Sequence, residues 1–168
     1  CLTGTDRIAE VAKKIKKSFY INVQGDEPIC NPKDIKKIVN FAKKNPNLIV
    51  NGYTEIKDKE MFYSPNVPKV VFDKNERLLY MSRAPIPSNK KQTFIKSWRQ
   101  VCIYSFPYKS LKIYTSIKKK TTLELIEDLE SNRFLELGYQ VKMLKMSNKS
   151  VAVDTKEDLV KVRKLVKD

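Results

Sequence analysis

The change of hydrophobic period between residues 19 and 54 constrains this chain more than any other feature. "FYINV" (19–23) is a short apolar run. "NPKDIKKIVNFAKKNP" (31–46) follows, with Ile35, Ile38, Val39 and Ala42 at helical spacing. Asn31 suits the cap of that helix, Pro32 its first turn, and Pro46 its end. "LIVNGYT" (48–54) then returns to strand character. Ahead of these, "TDRIAEVAKKIKK" places Ile8, Val11, Ala12 and Ile15 at i, i+3, i+4 and i+7. The order helix, strand, helix, strand is the rhythm of βαβ units. It predicts an α/β fold with a mostly parallel sheet covered by helices. An α/β sheet rarely opens on a helix, so the domain is expected to lack an N-terminal portion here.

The middle of the chain breaks the rhythm. "KVVFD" (69–73), a turn at "KNE" and "RLLYMS" (77–82) predict a β-hairpin. "SPNVP" (64–68) and "RAPIPSNKKQ" (83–92) read as proline-punctuated loops. "RQVCIYSF" (99–106) is a further strand. "PYKSLKIYTSI" (107–117) and "TTLELIEDLESNRFLEL" (121–137) read as helices, the second ended by Gly138. "QVKMLKM" (140–146) and "SVAV" (150–153) read as short strands. "DTKEDLVKVRKLVKD" closes the chain as a helix with Leu159, Val162 and Val166 on one side. No repeat or linker divides the chain, so residues 1–168 are expected to form one domain, with the hairpin region at 69–106.

Several function classes fall away on composition. No apolar run approaches the roughly 20 residues of a membrane span. Cys1, Cys30 and Cys102 are an odd, scattered set with no CxxC pair, which predicts neither a disulfide framework nor a zinc site but a reducing cytoplasm. Histidine is absent. The net charge of +15 comes from 28 lysines and 6 arginines against 19 acids. Nucleic-acid readers lean on arginine forks and interleaved aromatics. Here the lysines come mostly in pairs such as Lys13-Lys14 and Lys36-Lys37, a solvated surface with no nucleic acid partner. The same field would steer an acidic small molecule.

Against that charge, two acids stand at strand ends. Asp26 follows "FYINVQG", and Asp154 follows "SVAV" at the mouth of the last helix. In open α/β sheets, ligands bind beyond the carboxyl ends of strands. Two hard oxygen ligands without His or Cys partners suit Mg²⁺, which bridges to substrate phosphates. Strand-end aspartates are also turn formers and helix caps, and Asp154-Thr155 ahead of Glu157-Asp158 fits a capping arrangement as well.

The stretches "TGTDRIAEV", "INVQGDEP", "NVPKVVFD", "LLYMSRAPIP", the Ile103-Tyr104 pair, "LELIEDLESNRFLELG" and "VDTKEDLVKVR" occur in an order that resembles the CMP-Kdo synthetases, the 3-deoxy-manno-octulosonate cytidylyltransferases. The resemblance covers nearly the whole chain. It implies a three-layer α/β/α nucleotide-sugar transferase fold and a Mg²⁺-dependent reaction of CTP with an acidic eight-carbon sugar. The products would be the activated sugar and pyrophosphate, for lipopolysaccharide or capsule assembly. It further implies a homodimer paired through the hairpin region. Carried over by motif, Asp26 and Asp154 would hold the metal. Gln24, Arg83 and Arg7 would face the sugar acid, as would Tyr104, and Glu124 and Glu127 would accept hydrogen bonds from sugar hydroxyls. Read from the residues alone, Arg7 also suits a helical pair with Glu10, Arg83 suits a loop anchor, and Glu124 and Glu127 suit solvated helix acids.

Two departures qualify the resemblance. The family opens on a strand, a phosphate-binding loop with a Pro-Gly-Lys triplet, and a helix; this sequence contains no such stretch, and as given it is expected to bind CTP poorly. Gln100 and Cys102 in "RQVCIY" also stand where the family shows a histidine and a glycine. The histidine lies on the sugar side, which leaves a different acidic sugar, a nonulosonate or an amino derivative, as the alternative substrate. A basic nucleic-acid-binding module is the alternative from another class.

Overall fold

Strand β5 (Trp98–Pro107) is the longest strand and organises the rest. In this computed structural model, which describes residues 3–153 and 155–167, one edge of β5 pairs antiparallel with β2 (Ile49–Glu55). Its other edge is shared. β1 (Phe19–Val23) pairs antiparallel with residues 103–107, and β3 (Lys69–Phe72) with residues 98–99. β3 continues into an antiparallel hairpin with β4 (Leu78–Ser82), and β6 (Val141–Lys145) pairs parallel with β2. The sheet order is β4-β3-β5-β2-β6, with β1 beside the second half of β5. Thus β1, β2, β3 and β6 point one way, as the alternation of strands and helices predicts, while β4 and β5 run against them.

Side chains alternate across β5, so each sheet face buries its own core. Val101 and Ile103 lie on one face with Val50, Leu144 and Ile38 of helix α2 (Pro32–Lys44). Tyr104 and Phe106 lie on the other with Val70, Met81 and Met143. That second face is covered by α1 (Gly4–Lys14), α4 (Tyr108–Ser116) and α6 (Glu130–Glu136), through Ala9, Ala12, Leu111, Tyr114 and Phe134. A one-turn helix α3 (Lys59–Tyr63), a short helix α5 (Thr122–Glu127) and the closing helix α7 (Lys156–Lys167) complete the described elements. The layers are therefore helix, sheet, helix. As predicted, Asn31 caps α2, accepting from the Lys33 amide at 3.0 Å, and the chain turns out of α6 at Gly138 with φ +77°.

Four local expectations are corrected. Helix α1 buries Thr5, Ala9 and Ala12, whereas Val11 and Ile15 are 47% and 55% exposed. Small residues let α1 approach α4 closely, and Glu130 fixes its rotation by accepting from the Gly4 and Thr5 amides at 2.9 and 2.8 Å. The single helix expected over 121–137 is two, α5 and α6, broken where Asp128 adopts φ 52°. The break is held from outside, because Arg83 donates Nε to Glu127 O (2.7 Å) and a terminal nitrogen to Asp128 O (3.3 Å). "SVAV" is not a strand; Val153 instead donates its amide to Asp26 O at 2.9 Å. Among the described side chains of α7 only Val162 is buried, with Leu159 and Val166 exposed.

At the base of the hairpin sits a fully buried lysine. Lys69 Nζ donates to Ser64 O (2.7 Å) and Arg83 O (2.6 Å), clamping the loop before β3 to the end of β4. Burial lowers its pKa to about 8; the Arg83 charge adds to this, and Glu127 opposes it. An unfolded lysine titrates near 10.4. Between the two values the unfolded chain holds a proton that the folded chain releases, so stability rises with pH across that window. Below about pH 8 the burial penalty is fully present. Urea unfolding from pH 8 to 10 should show the native protein gaining on Lys69→Met by at most about 1.4 kcal/mol per pH unit. A difference that does not change with pH would mean that Lys69 keeps its proton.

Candidate active site

The shared edge of β5 creates the site. β1 leaves β5 after the Gln24 amide donates to Cys102 O (3.1 Å), and β3 arrives where the Gln100 amide donates to Pro68 O (3.0 Å). Between those two bonds no strand pairs with the edge; side chains take its backbone groups instead, Glu27 accepting from the Cys102 amide and Arg99 donating to Gln100 O (3.2 Å each), and a cavity of about 540 Å³ lies beside it. Gln24, Asp26 and Glu27 line it from the carboxyl end of β1, Ser64 and Asn66–Pro68 from the loop before β3, and Gln100, Cys102 and Tyr104 from β5. Ser150, Val151 and Ala152 close one side. This is the crevice beyond a strand end where α/β sheets take ligands.

Asp26 is exposed in the cavity. The hydrogen bond from Val153 to its carbonyl carries residues 151–153 to its side. Asp154, the other predicted metal ligand, lies outside the described residues. The next residue, Glu27, is buried and missing from the predicted site. Its Oε1 accepts from the Cys102 amide at 3.2 Å and stands 3.9 Å from Arg99. Burial raises its pKa, against the pull of that amide and of Arg99. Arg99 is buried as well, and burial lowers its pKa while Glu27 opposes. It donates to Ser150 O at 2.7 Å. Glu27 and Arg99 thus join the turn after β1, strand β5 and the segment leading to Asp154. The signal for them was present: a second acid after Asp26, and one arginine at the start of a largely apolar strand.

Gln100 and Tyr104 also line the cavity, on one face of β5. Gln100 Nε2 donates to the Tyr104 hydroxyl at 2.6 Å and to Asn51 Oδ1 at 3.1 Å. Asn51 in turn donates Nδ2 to Val101 O (3.0 Å) and Ile103 O (3.1 Å). These carbonyls flank the irregularity where β2 and β5 shift register between Asn51 and Gly52. Gly52 has no room for a side chain there, since a Cβ would stand 2.9 Å from Met146 Cγ. Burial raises the Tyr104 pKa well above its usual value.

The other predicted residues do different work. Arg7 is exposed on α1 and is not part of the cavity lining, because its position points away from the face carrying Thr5, Ala9 and Ala12. Arg83 lines the cavity, but its guanidinium is anchored on three carbonyls, those of Glu127, Pro65 and Asp128. Glu127 faces the hairpin, accepting from Ser82 Oγ (2.6 Å), the Arg83 amide (2.8 Å) and the Tyr80 hydroxyl (3.0 Å). Burial works to raise its pKa, but those donors together hold it below the usual value. Glu124 is buried away from the cavity against Arg133, at 2.5 Å from Nε and 2.7 Å from a terminal nitrogen.

The cavity's charge is opposite to that of the chain. Eight acids line it (Asp26, Glu27, Asp58, Glu60, Asp128, Glu130, Glu157 and Asp158), against Arg83, Arg99 and Lys161. An anionic ligand would meet net repulsion there unless a cation came with it. Among the described residues no three acid or cysteine side chains gather as a metal cage; the exposed Asp26 carboxylate is a single hard oxygen donor, which would fit a divalent ion whose remaining ligands are water and substrate oxygens.

A family described as Cytidylyltransferase matches residues 1–156. The chain is 36% identical to the 3-deoxy-manno-octulosonate cytidylyltransferase of Geotalea daltonii, over 99% of its own length and 70% of the relative's. It is also 36% identical to the enzyme of the same name from Fusobacterium nucleatum, over 98% and 68%. Among solved structures, a CMP:2-keto-3-deoxy-manno-octonic acid synthetase complexed with CTP superposes with a TM-score of 0.88 at 31% identity, covering 98% of this chain and 68% of that one. A 4-diphosphocytidyl-2C-methyl-D-erythritol synthase from Anaerococcus prevotii shares the fold at 17% identity, with a TM-score of 0.60 over 99% of this chain and 67% of that one.

Proposed function

This chain belongs to the cytidylyltransferase family, with the 3-deoxy-manno-octulosonate enzymes, and from that membership we propose that it joins CTP to 3-deoxy-D-manno-octulosonate, giving CMP-Kdo and pyrophosphate. The observation that carries the reading is the acid-lined cavity at the carboxyl end of β1, with Asp26 open to it and the segment before Asp154 bonded to Asp26. The anomeric hydroxyl of the sugar attacks the α-phosphorus in line, its proton passes to solvent water, and pyrophosphate leaves with the electrons of the broken P–O bond. Chemistry of this kind rests on positioning and charge neutralisation, which a histidine-free site supplies. Mg²⁺, held by Asp26 and Asp154, would shield phosphate charge and lower the pKa of the attacking hydroxyl. Gln24 bounds the sugar side, and Gln100 and Tyr104 meet the sugar's hydroxyls.

The same proposal places the reaction in the cytoplasm, where it would feed lipopolysaccharide or capsule assembly. It also makes the active form a homodimer. Support for the dimer comes from β4, the sheet's edge strand, whose Leu79 is exposed, and from exposed Leu125 and Ile126 on α5, the helix that ends at the hairpin-facing Glu127. The test is pyrophosphate release by the intact enzyme with CTP, Mg²⁺ and a panel of sugar acids. Turnover is expected with 3-deoxy-manno-octulosonate, and a loss of turnover on chelation. Turnover only with a nonulosonate or an amino derivative would move the substrate. Steeply salt-dependent RNA or DNA binding without turnover would overturn the enzyme reading.

A further inference from the structure

We propose that Asn51 fixes the amide of Gln100 so that the cavity wall presents an acceptor, Gln100 Oε1, beside the Tyr104 hydroxyl, and thereby selects a sugar hydroxyl at that point over a carboxylate or ketone. The proposal rests on the reading of the cavity as a sugar site. The orientation itself follows from hydrogen-bond bookkeeping alone. Backbone carbonyls only accept, so the Asn51 group bonded to both Val101 O and Ile103 O must be its NH₂. Asn51 Oδ1 is therefore what faces Gln100, and an oxygen there demands a donor, so Gln100 must turn its own NH₂ towards Asn51. The second hydrogen of that NH₂ goes to the Tyr104 oxygen. Both Gln100 donors are then engaged inside the protein. Its Oε1 takes no hydrogen bond from the described residues, and it is the amide atom left for the cavity that Gln100 lines. Tyr104 accepts from Gln100, and its own hydrogen can go to the Cys102 sulfur beside it or to a ligand.

A hydroxyl is the group that matches such a wall, since it can donate to Oε1 and also accept whenever the phenol turns from the Cys102 sulfur. A carboxylate or ketone oxygen would meet Oε1 lone pair to lone pair. Asn51 is the positioning residue. It touches no ligand, and its grip comes from the two carbonyls at the β2–β5 irregularity. The sugar's carboxylate is thereby directed away from Gln100.

Two measurements on the intact enzyme test this. The first needs no turnover. With the glutamine side chains ¹⁵N-labelled, the Gln100 NH₂ should show two distinct protons protected from solvent exchange, and Asn51→Ala should abolish the protection. An unprotected Gln100 NH₂ in the wild type would overturn the orientation, whatever the enzyme's substrate. The second is kinetic. Gln100→Leu should raise the sugar KM about tenfold, the effect of one hydrogen bond, with the CTP KM unchanged. Among single-deoxy sugars, one should show the same tenfold loss with the wild type and none further with Gln100→Leu. An unchanged sugar KM in Gln100→Leu, or losses that add for every deoxy sugar, would overturn the selection. Absence of turnover with any sugar acid would instead refute the substrate reading and leave the labelling result to decide the orientation.

Discussion

In urea titration, Glu124→Ala is expected to lose about 3–5 kcal/mol of folding stability, and its Tm to fall by on the order of 10 °C. The Arg133 side chain is 0% exposed and that of Glu124 1%. Arg133 also lies over the Tyr114 ring at 3.8 Å and donates to Tyr114 O, while the Tyr114 hydroxyl donates to Glu124. Removing the carboxylate leaves a guanidinium stranded in the core between α4, α5 and α6. The paired replacement Glu124→Leu with Arg133→Met should recover much of the loss, because it removes both desolvated charges together. Sugar KM should be unaffected in Glu124→Ala held below its Tm. A variant with wild-type stability and weakened sugar binding would return Glu124 to the binding site.

Asp26→Asn is expected to do the reverse. Its turnover should fall at least about a hundredfold, since an anionic metal ligand, the role proposed for Asp26, would supply several kcal/mol of transition-state charge stabilisation. Its stability should stay within about 0.5 kcal/mol, because the side chain is exposed and the bond to Val153 uses the backbone carbonyl. Mn²⁺ binding, followed by the resonance of the free ion, should weaken in parallel. Wild-type pyrophosphate release in this variant would refute the metal assignment outright.

The contrast between these two acids marks where sequence reading works. The strand at 19–23, the capped helix after it and the hairpin were legible because their signals are local: hydrophobic period, a cap, a turn. That Gln24 and Asp26 would line a crevice was legible because a strand end fixes where their side chains emerge. The break at Asp128 was not, since it answers to Arg83, 45 residues away in sequence. The resemblance makes Glu124 and Glu127 sugar ligands and the residues alone make them solvated helix acids; neither foresees the buried arginine or the hairpin donors, because a helix carrying acids looks alike whether they meet water, a ligand or a protein partner. Val11 and Ile15 misled for a related reason. Helical spacing identifies an apolar stripe, but the partner surface decides which part of it is covered, and here alanines met α4. Glu27 and Arg99 each stand out in the sequence, but pairing them required the knowledge that β5 lies beside β1, which no short stretch encodes.

Because one long strand carries both walls of the crevice, its floor and its rim obey different rules. A ladder bonded along both sides is the last part of a domain to open, so amide exchange at 104 and 105, which β1 and β2 flank, should track global unfolding. The rim opposite that strand, by contrast, is made of loop residues such as 64–68. Substrate preference can then drift through rim residues without disturbing the scaffold, which makes the rim the place to engineer a new acceptor.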